Sequence, residues 1–101
     1  MKGNFEQLIH SDVPVLIDFY AEWYQPCKIQ SPVLQELAKE EKGRTRVIKI
    51  DVDKNPIIAK RYQIQDVPTL ILFRNGQVLW RQSGVTPKQT LRKILNEFLA
   101  S

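Results

Sequence analysis

Three side chains in this sequence have types and positions that could carry chemistry: one thiol, one carboxyl and one amine. The thiol is Cys27, the single cysteine, which follows Trp23-Tyr24-Gln25-Pro26 near the start of a predicted helix. A thiolate is the reactive form of cysteine; a helix N-terminus stabilises it and burial opposes it. A single cysteine excludes an internal disulfide, an intramolecular dithiol cycle and a cysteine-based zinc finger.

The carboxyl and the amine belong to two neighbouring apolar runs. Asp18 interrupts the run from Val13 to Tyr20, which is rich in β-branched residues and predicts a strand buried on both faces. An ionised carboxylate is costly to bury, so Asp18 needs either a raised pKa or a partner. Lys49 in the next predicted strand is the expected partner.

Length and composition favour one compact domain over residues 1–101, because the chain has 101 residues of which 43% are apolar. No apolar run approaches the roughly 18 to 20 residues of a membrane helix. The N-terminus also lacks the basic and apolar regions of a secretory signal. We therefore expect a soluble, unexported, cytoplasmic protein with no membrane partner.

The charge pattern gives no sign of a nucleic-acid or metal site. The net charge is +4, but the basic residues are scattered among the predicted elements without a dense run. Such a pattern is typical of a solvated surface. With one histidine and one cysteine, we expect neither a metal site nor a cofactor.

Hydrophobic periodicity predicts eight elements in the order α-β-α-β-α-β-β-α. Asn4 is expected to cap the first helix and Asn55 the third, and Asn75-Gly76 predicts a hairpin turn. The predicted helices cover residues 4–11, 25–41 and 56–62, with a fourth that starts at Thr86-Pro87, and the predicted strands cover residues 13–20, 47–52, 69–73 and 78–82. This order implies an α/β fold with a mixed four-stranded sheet between two layers of helices.

The segment Trp23-Tyr24-Gln25-Pro26-Cys27 resembles the Trp-Cys-Gly-Pro-Cys active site of the thioredoxin family. The resemblance runs from about Val13 to the end of the chain and implies the thioredoxin fold, without the additional N-terminal strand that many thioredoxins have. Further matching segments are Asp18-Phe19-Tyr20-Ala21-Glu22-Trp23, Lys49-Ile50-Asp51-Val52-Asp53, Val67-Pro68-Thr69-Leu70, Phe73-Arg74-Asn75-Gly76 and Ser83-Gly84.

The decisive departure from the family pattern is Tyr24. In the family the first cysteine attacks a substrate disulfide and the second resolves the mixed disulfide. Here Tyr24 occupies the attacking position and Cys27 the resolving one. A phenol cannot form or exchange a disulfide, so the dithiol reaction is unavailable to one chain. Gln25, in place of the usual glycine, is a milder departure.

The resemblance also assigns roles below the motif. It implies that Asp18, with Lys49 nearby, serves as a general base for Cys27 through water. Because no mixed disulfide forms that would need to be resolved, a general base has no proton to move here. We therefore favour the interpretation that Asp18 is retained from a redox-active scaffold over the interpretation that it works as a base. The resemblance places Cys27 one turn into the helix, and we favour a buried, inert thiol over a reactive one.

The resemblance further implies a groove that binds an extended segment of a protein or peptide. A cis peptide bond at Pro68 would expose the Val67 backbone for strand-like pairing. Tyr24 could either border the groove or fill it, and Trp23 could equally serve the groove or pack at the sheet edge. The candidate substrate-binding residues are Trp23, Gln25, Pro26, Val67, Pro68, Thr69 and Gly84.

Several functions remain open on the sequence. The first is a binding module that has lost the dithiol activity of the family. The second is a monothiol protein in which Cys27 forms mixed disulfides with glutathione or a partner protein. The third is an ordinary thioredoxin disulfide reductase of which Tyr24 is a variant. In a fourth, Tyr24 stabilises a thiolate as in glutathione transferases. Thioredoxin reductase is an expected partner only if the chain is redox-active.

Overall fold

The apolar run after Pro14 forms the strand around which the rest of the chain is arranged. In the computed structural model, which describes residues 2–99, this strand is β1 and all its residues but the last are buried. The elements in chain order are α1 (Lys2–Ile9), β1 (Val15–Tyr20), α2 (Gln25–Glu40), β2 (Arg46–Asp51), α3 (Pro56–Arg61), β3 (Thr69–Arg74), β4 (Gln77–Ser83) and α4 (Lys88–Leu99).

The four strands form one mixed sheet in the order β2-β1-β3-β4. β1 pairs in parallel with β2, because α2 returns the chain to the same end of the sheet, and antiparallel with β3. β3 and β4 form a hairpin at Asn75 and Gly76, whose φ angles of 52° and 81° suit the tight turn predicted there.

The helices cover both faces of the sheet and create two apolar clusters. Val15, Ile17 and Phe19 pack on the α1 side, whereas Leu16 packs with leucines of α2 and α4 on the other. Alternation along β1 therefore places Asp18 on the same face as Leu16, beneath α2.

The sequence predicted the order and type of all eight elements, and the thioredoxin-like fold is confirmed within the described residues. Of the two predicted helix caps, the one at Asn4 is wrong, and the one at Asn55 is confirmed in position but not in its side-chain hydrogen bond. α1 begins at Lys2, so Asn4 lies inside the helix. Asn55 is the N-cap residue of α3, but its side chain does not bond the helix, because Nδ2 donates to the carbonyl of Asp51 at 3.0 Å.

A buried amide in α2 fixes the segment that leads into α4. Nε2 of Gln30 donates to the carbonyl of Thr86 at 3.0 Å, and Oε1 accepts from the Thr86 N–H at 2.7 Å. Both residues are buried. Since residues 84 and 85 immediately precede Thr86, this pair of hydrogen bonds also holds the chain at Gly84 in place.

We predict that Gln30→Leu lowers the free energy of unfolding by about 2–4 kcal/mol, because it leaves two buried backbone groups of Thr86 without partners. The measurement is urea denaturation followed by circular dichroism. Gln35→Leu, on the exposed side of the same helix, is the matched control and should change stability by less than about 0.5 kcal/mol. Equal losses in the two variants would contradict this role for Gln30.

Candidate functional site

The candidate site is built at the carboxyl end of β1, where the chain turns into α2. Tyr24 is the residue before the helix, with extended φ and ψ of −101° and 122°, and Pro26 follows in the first turn, where it needs no N–H partner. The N–H of Cys27 donates to the carbonyl of Tyr24 at 3.1 Å. This geometry places Cys27 within the first turn of α2.

Cys27 is a free thiol with 4% of its surface exposed. Burial raises the pKa of the Cys27 thiol above its usual value, and the nearby Asp18 carboxyl raises it further. The N–H of Ala21, which donates to Sγ at 3.5 Å, and the ammonium of Lys49 act in the opposite direction. The surroundings of this sulfur therefore favour the neutral thiol.

Asp18 lies fully buried on β1, and neither of its carboxyl oxygens has a hydrogen-bond partner. Burial raises its pKa from 3.8 to about 6, against the opposing field of Lys49. A carboxyl with this pKa changes charge close to neutral pH. Of the two alternatives that the sequence left open for Asp18, a raised pKa or a hydrogen-bonded partner, the burial and the unpartnered oxygens favour the raised pKa.

Lys49, the expected partner of Asp18, acts on the carboxyl through its charge, but among the described residues it makes no hydrogen bond or ion pair with it. The two residues are register partners on β1 and β2. The ammonium of Lys49, however, donates to Oγ of Ser31 at 3.1 Å and lies 4.3 Å from the centre of the Tyr20 ring. Lys49 reaches outward to a hydroxyl and an aromatic face, so it acts on the carboxyl only through its charge.

A cleft of about 590 Å³ opens beside the first turns of α2 on the β2 side. Cys27 lines this cleft, together with polar groups of α2 and β2. Other residues that line the cleft include Tyr20, Glu22, Lys28, Ser31, Gln35 and Lys49. This cleft is the opening, within the described part of the chain, through which the sulfur faces solvent.

A second opening, a groove of about 650 Å³, lies on the opposite side of the same helix start. The Val67-Pro68 peptide bond is cis, as expected from the resemblance, and Val67 is half-buried at the groove. The predicted residues that line the groove are Trp23, Tyr24, Pro26, Val67, Pro68 and Gly84. The structure thus brings together residues from three separate segments of the sequence.

Two predicted substrate-binding residues, Gln25 and Thr69, do not line the groove. Gln25 is exposed at the first position of α2. Thr69 is buried, and its hydroxyl donates to the carbonyl of Asp66 at 2.5 Å and contacts Oγ of Ser83 at 3.0 Å. Thr69 therefore lies behind the groove, where its hydroxyl links the segment at Asp66 to the segment at Ser83.

The rim of the groove is formed by an ordered aromatic pair. Trp23 is 70% exposed, yet its Nε1 donates to Oδ2 of Asp53 at 2.8 Å. The ring of Tyr24 packs against it with a centroid separation of 5.5 Å. Trp23 thus lines the groove while held by a hydrogen bond, and Tyr24 stands at the rim with 40% of its surface exposed.

Sequence reasoning missed several residues of the site. No pattern in the sequence links Asp53 to Trp23, because the two residues are 30 positions apart. Val85 and Asp66 also line the groove, and both are adjacent to residues that the motifs did identify. Proximity to Val67 and Gly84 was the one signal that could have found them.

Two further findings concern the described residues as a whole. No helix among residues 2–99 has both the length and the apolar character needed to cross a membrane. Within the same range, no three His, Cys, Asp or Glu side chains are grouped so as to hold a metal ion.

Comparison with known proteins agrees with the sequence resemblance. The family model described as Thioredoxin matches residues 1–97. Thioredoxin 1 of Chlorobaculum tepidum is 47% identical over 94 residues, which cover 92% of this chain and 93% of that protein. Thioredoxin 1 of Nostoc sp. is 40% identical over 93% of this chain and 88% of its own length. The thioredoxin of Haemophilus influenzae is 40% identical, with coverages of 96% and 92%.

The buried carboxyl generates a prediction for stability against pH. Because the pKa of Asp18 is about 6 in the folded state and 3.8 when unperturbed, the unfolded chain releases this proton first. The folded state is therefore penalised as the pH rises from about 4 to about 7, by about 3 kcal/mol in total. Asp18→Asn should remove this loss and be the more stable protein at pH 8.

The measurement is urea denaturation at a series of pH values for the wild type and Asp18→Asn. Asp12→Asn, which changes a side chain that is 89% exposed, serves as the control and should retain the wild-type pH dependence. A wild-type stability that is level or increases between pH 5 and pH 7, with no difference from Asp18→Asn, would contradict the burial penalty.

Proposed function

The chain belongs to the thioredoxin family, and on that premise we propose that it is a peptide-binding member of the family that is deficient in dithiol disulfide reduction. The observation that carries the proposal is the division of the site. The groove is lined by Trp23, Tyr24 and the loop of residues 65–68, which contains the cis proline and is called the cis-proline loop below. The sulfur of Cys27 lies on the other side of the N-terminus of α2. The groove is complete without a thiol.

Loss of the dithiol reaction follows from the position of Tyr24. Thiol-disulfide exchange needs an attacking thiolate and a second thiol that releases the product. The chain has one cysteine, and the residue at the exposed start of α2 carries a phenol. Cys27 is buried and its surroundings favour the neutral thiol, so it is poorly placed to attack a protein disulfide in the groove.

Peptide binding is supported by the backbone at the cis-proline loop. Val67 precedes β3 and borders the groove, and the N–H of Gly84 already donates to the carbonyl of Pro68 at 2.8 Å. An extended segment lying along Val67 would add main-chain hydrogen bonds at this edge, and the apolar rim would take its side chains. The partner we propose is therefore an extended segment of a protein.

In this proposal Asp18, Lys49 and Cys27 are the remainder of the family site, and Cys27 and Lys49 line the cleft on the β2 side of α2. In the proposal Asp18 is a retained group with no proton to transfer, because no mixed disulfide forms at Tyr24. A single unpaired thiol suits a reducing compartment, which supports a cytoplasmic location. Thioredoxin reductase becomes a partner only for a chain in which the dithiol has been restored.

Restoring the attacking thiol should restore the activity. We predict that the wild type reduces insulin disulfides, with dithiothreitol as the electron source, no faster than dithiothreitol alone. Tyr24→Cys should exceed that background by at least about tenfold, because the resolving cysteine, Asp18 and the groove are in place. The turbidity of precipitating insulin chains measures the rate.

Tyr24→Ser is the matched control, since it removes the phenol without adding sulfur and should remain at background. Catalysis by the unmodified chain would contradict the deficiency. Failure of Tyr24→Cys to gain activity, with a folded protein by circular dichroism, would show that the rest of the site is also defective.

The groove proposal predicts binding that does not depend on sulfur. Carboxymethylated insulin B chain, which has no free thiol, should bind the wild type and shift the backbone amide of Val67 in a nitrogen-15 NMR spectrum. Trp23→Ala should weaken that binding by about tenfold, because it removes an exposed aromatic anchor from the rim.

Val78→Ala, at an exposed apolar position of β4 away from the groove, is the control and should bind as the wild type does. Binding that leaves Val67 unshifted, or that Trp23→Ala and Val78→Ala weaken equally, would contradict the groove as the peptide site.

A further inference from the structure

The groove beside the cis-proline loop has a single acidic or basic side chain among the described residues that line it. That residue is Asp66, which is exposed and immediately precedes Val67. The other lining residues are apolar or carry uncharged polar groups. A side chain bound in the groove therefore meets one negative charge from the lining and no positive one.

The carboxylate of Asp66 has no hydrogen bond or ion pair with any residue in the range 2–99. The exposed carboxylate of Glu36, by contrast, pairs with the ammonium of Lys88 at 2.6 Å. The main chain at Asp66 is nevertheless held in place, because its carbonyl accepts a hydrogen bond from the Thr69 hydroxyl at 2.5 Å. Asp66 thus offers an unpaired acceptor on a fixed segment of backbone.

Two further carboxylates lie near the aromatic rim of the groove. Oδ2 of Asp53 accepts the indole N–H of Trp23 at 2.8 Å, and Glu22 directly precedes Trp23 and is exposed. Lys54, which follows Asp53, is the cation adjacent to them in the sequence. Together with Asp66, these groups give the surroundings of the groove an excess of negative charge.

Arg81 of β4 does not pair with Asp66. Its guanidinium donates hydrogen bonds to the carbonyls of Tyr62 and Gln63, at the end of α3, and it forms no ion pair within the described part of the chain. The groove is therefore acidic although the chain carries a net charge of +4. Since a positive net charge by itself favours acidic partners, a preference for a basic partner would have to come from the groove.

We propose that the groove selects extended segments that place a lysine or arginine beside the residue paired with Val67, so that the cationic group binds the carboxylate of Asp66. Consecutive Cα atoms are about 3.8 Å apart, so a long basic side chain on a neighbouring residue of the ligand can reach this carboxylate. Opposite charges at the groove also reject acidic segments, which adds specificity to the main-chain pairing. The inference rests on the proposed peptide binding and names the chemistry of the peptide.

The probe is a capped seven-residue peptide of alternating threonine and valine, which favours an extended conformation and contains no sulfur. Its fourth or its fifth position carries arginine, citrulline or glutamate, so that the varied side chain points to either side of the extended peptide. Citrulline has nearly the shape of arginine without the charge. Titration followed at the Val67 amide in nitrogen-15 NMR spectra gives each dissociation constant.

We expect the arginine peptide, at one of the two positions, to bind the wild type about threefold more tightly than the citrulline peptide, as an exposed ion pair would. The glutamate peptide should bind more weakly than either. The ratio between arginine and citrulline should fall in about 0.5 M sodium chloride, because salt screens exposed charges. Asp66→Asn should reduce the ratio to about one, because the amide keeps the size of the side chain and removes its charge.

Two controls separate Asp66 from the other carboxylates. Asp12→Asn makes the same chemical change at a side chain that is 89% exposed and precedes the opposite end of β1, so the ratio should stay at about threefold. Glu22→Gln removes an exposed carboxylate that lines the cleft and not the groove, and it should lower the ratio less than Asp66→Asn does. Circular dichroism confirms that each variant is folded.

Equal binding of the arginine and citrulline peptides to the wild type would overturn the proposal. A preference that Asp66→Asn leaves intact, or that Asp12→Asn or Glu22→Gln reduces as strongly, would also overturn it, because the attraction would then not come from Asp66. All of these outcomes leave peptide binding in place, since the citrulline peptide still shifts Val67. Failure of every peptide to shift Val67 would instead overturn the groove as the peptide site, and the selection with it.

Discussion

β1 is paired along both edges and covered on both faces. This burial determines the positions and the environment of the residues at its carboxyl end. A strand held in this way cannot tilt or slide without breaking two ladders and two apolar clusters. The turn from Tyr20 to Tyr24 and the start of α2 are consequently fixed in space. The same burial leaves the carboxyl of Asp18 without solvent or a hydrogen bond, at a cost to stability that grows as the carboxyl ionises.

The position of the sulfur follows from this arrangement. Cys27 lies within the first turn of a helix that begins immediately above β1, so its side chain turns down toward the sheet and away from the groove. Tyr24 lies at the rim of the groove and packs against the ring of Trp23. The indole N–H of Trp23 donates a hydrogen bond to Asp53. The groove and the thiol therefore lie on opposite sides of the N-terminus of α2.

The fold could be predicted almost completely, because its signals are local. Apolar periodicity, the Asn75-Gly76 turn and the proline at the start of α3 each specify an element within a few residues. The candidate site could be predicted where a motif named its residues, as for Trp23 and the cis-proline loop. The predictions that failed concern side chains with several possible partners. Lys49 donates a hydrogen bond to Ser31 and not to Asp18, and the hydroxyl of Thr69 is directed inward to the carbonyl of Asp66.

The sequence alone determined that one chain cannot form an internal disulfide, because that conclusion needs only a count of cysteines. Together with the family pattern, it also determined that Tyr24 stands where an attacking thiol is expected. The tertiary structure decided which opening the remaining sulfur faces, since that depends on how α2 is rotated over β1. It also decided that Lys49 acts on Asp18 at a distance. Side-chain direction is set by packing between elements far apart in the chain, and no local pattern records it.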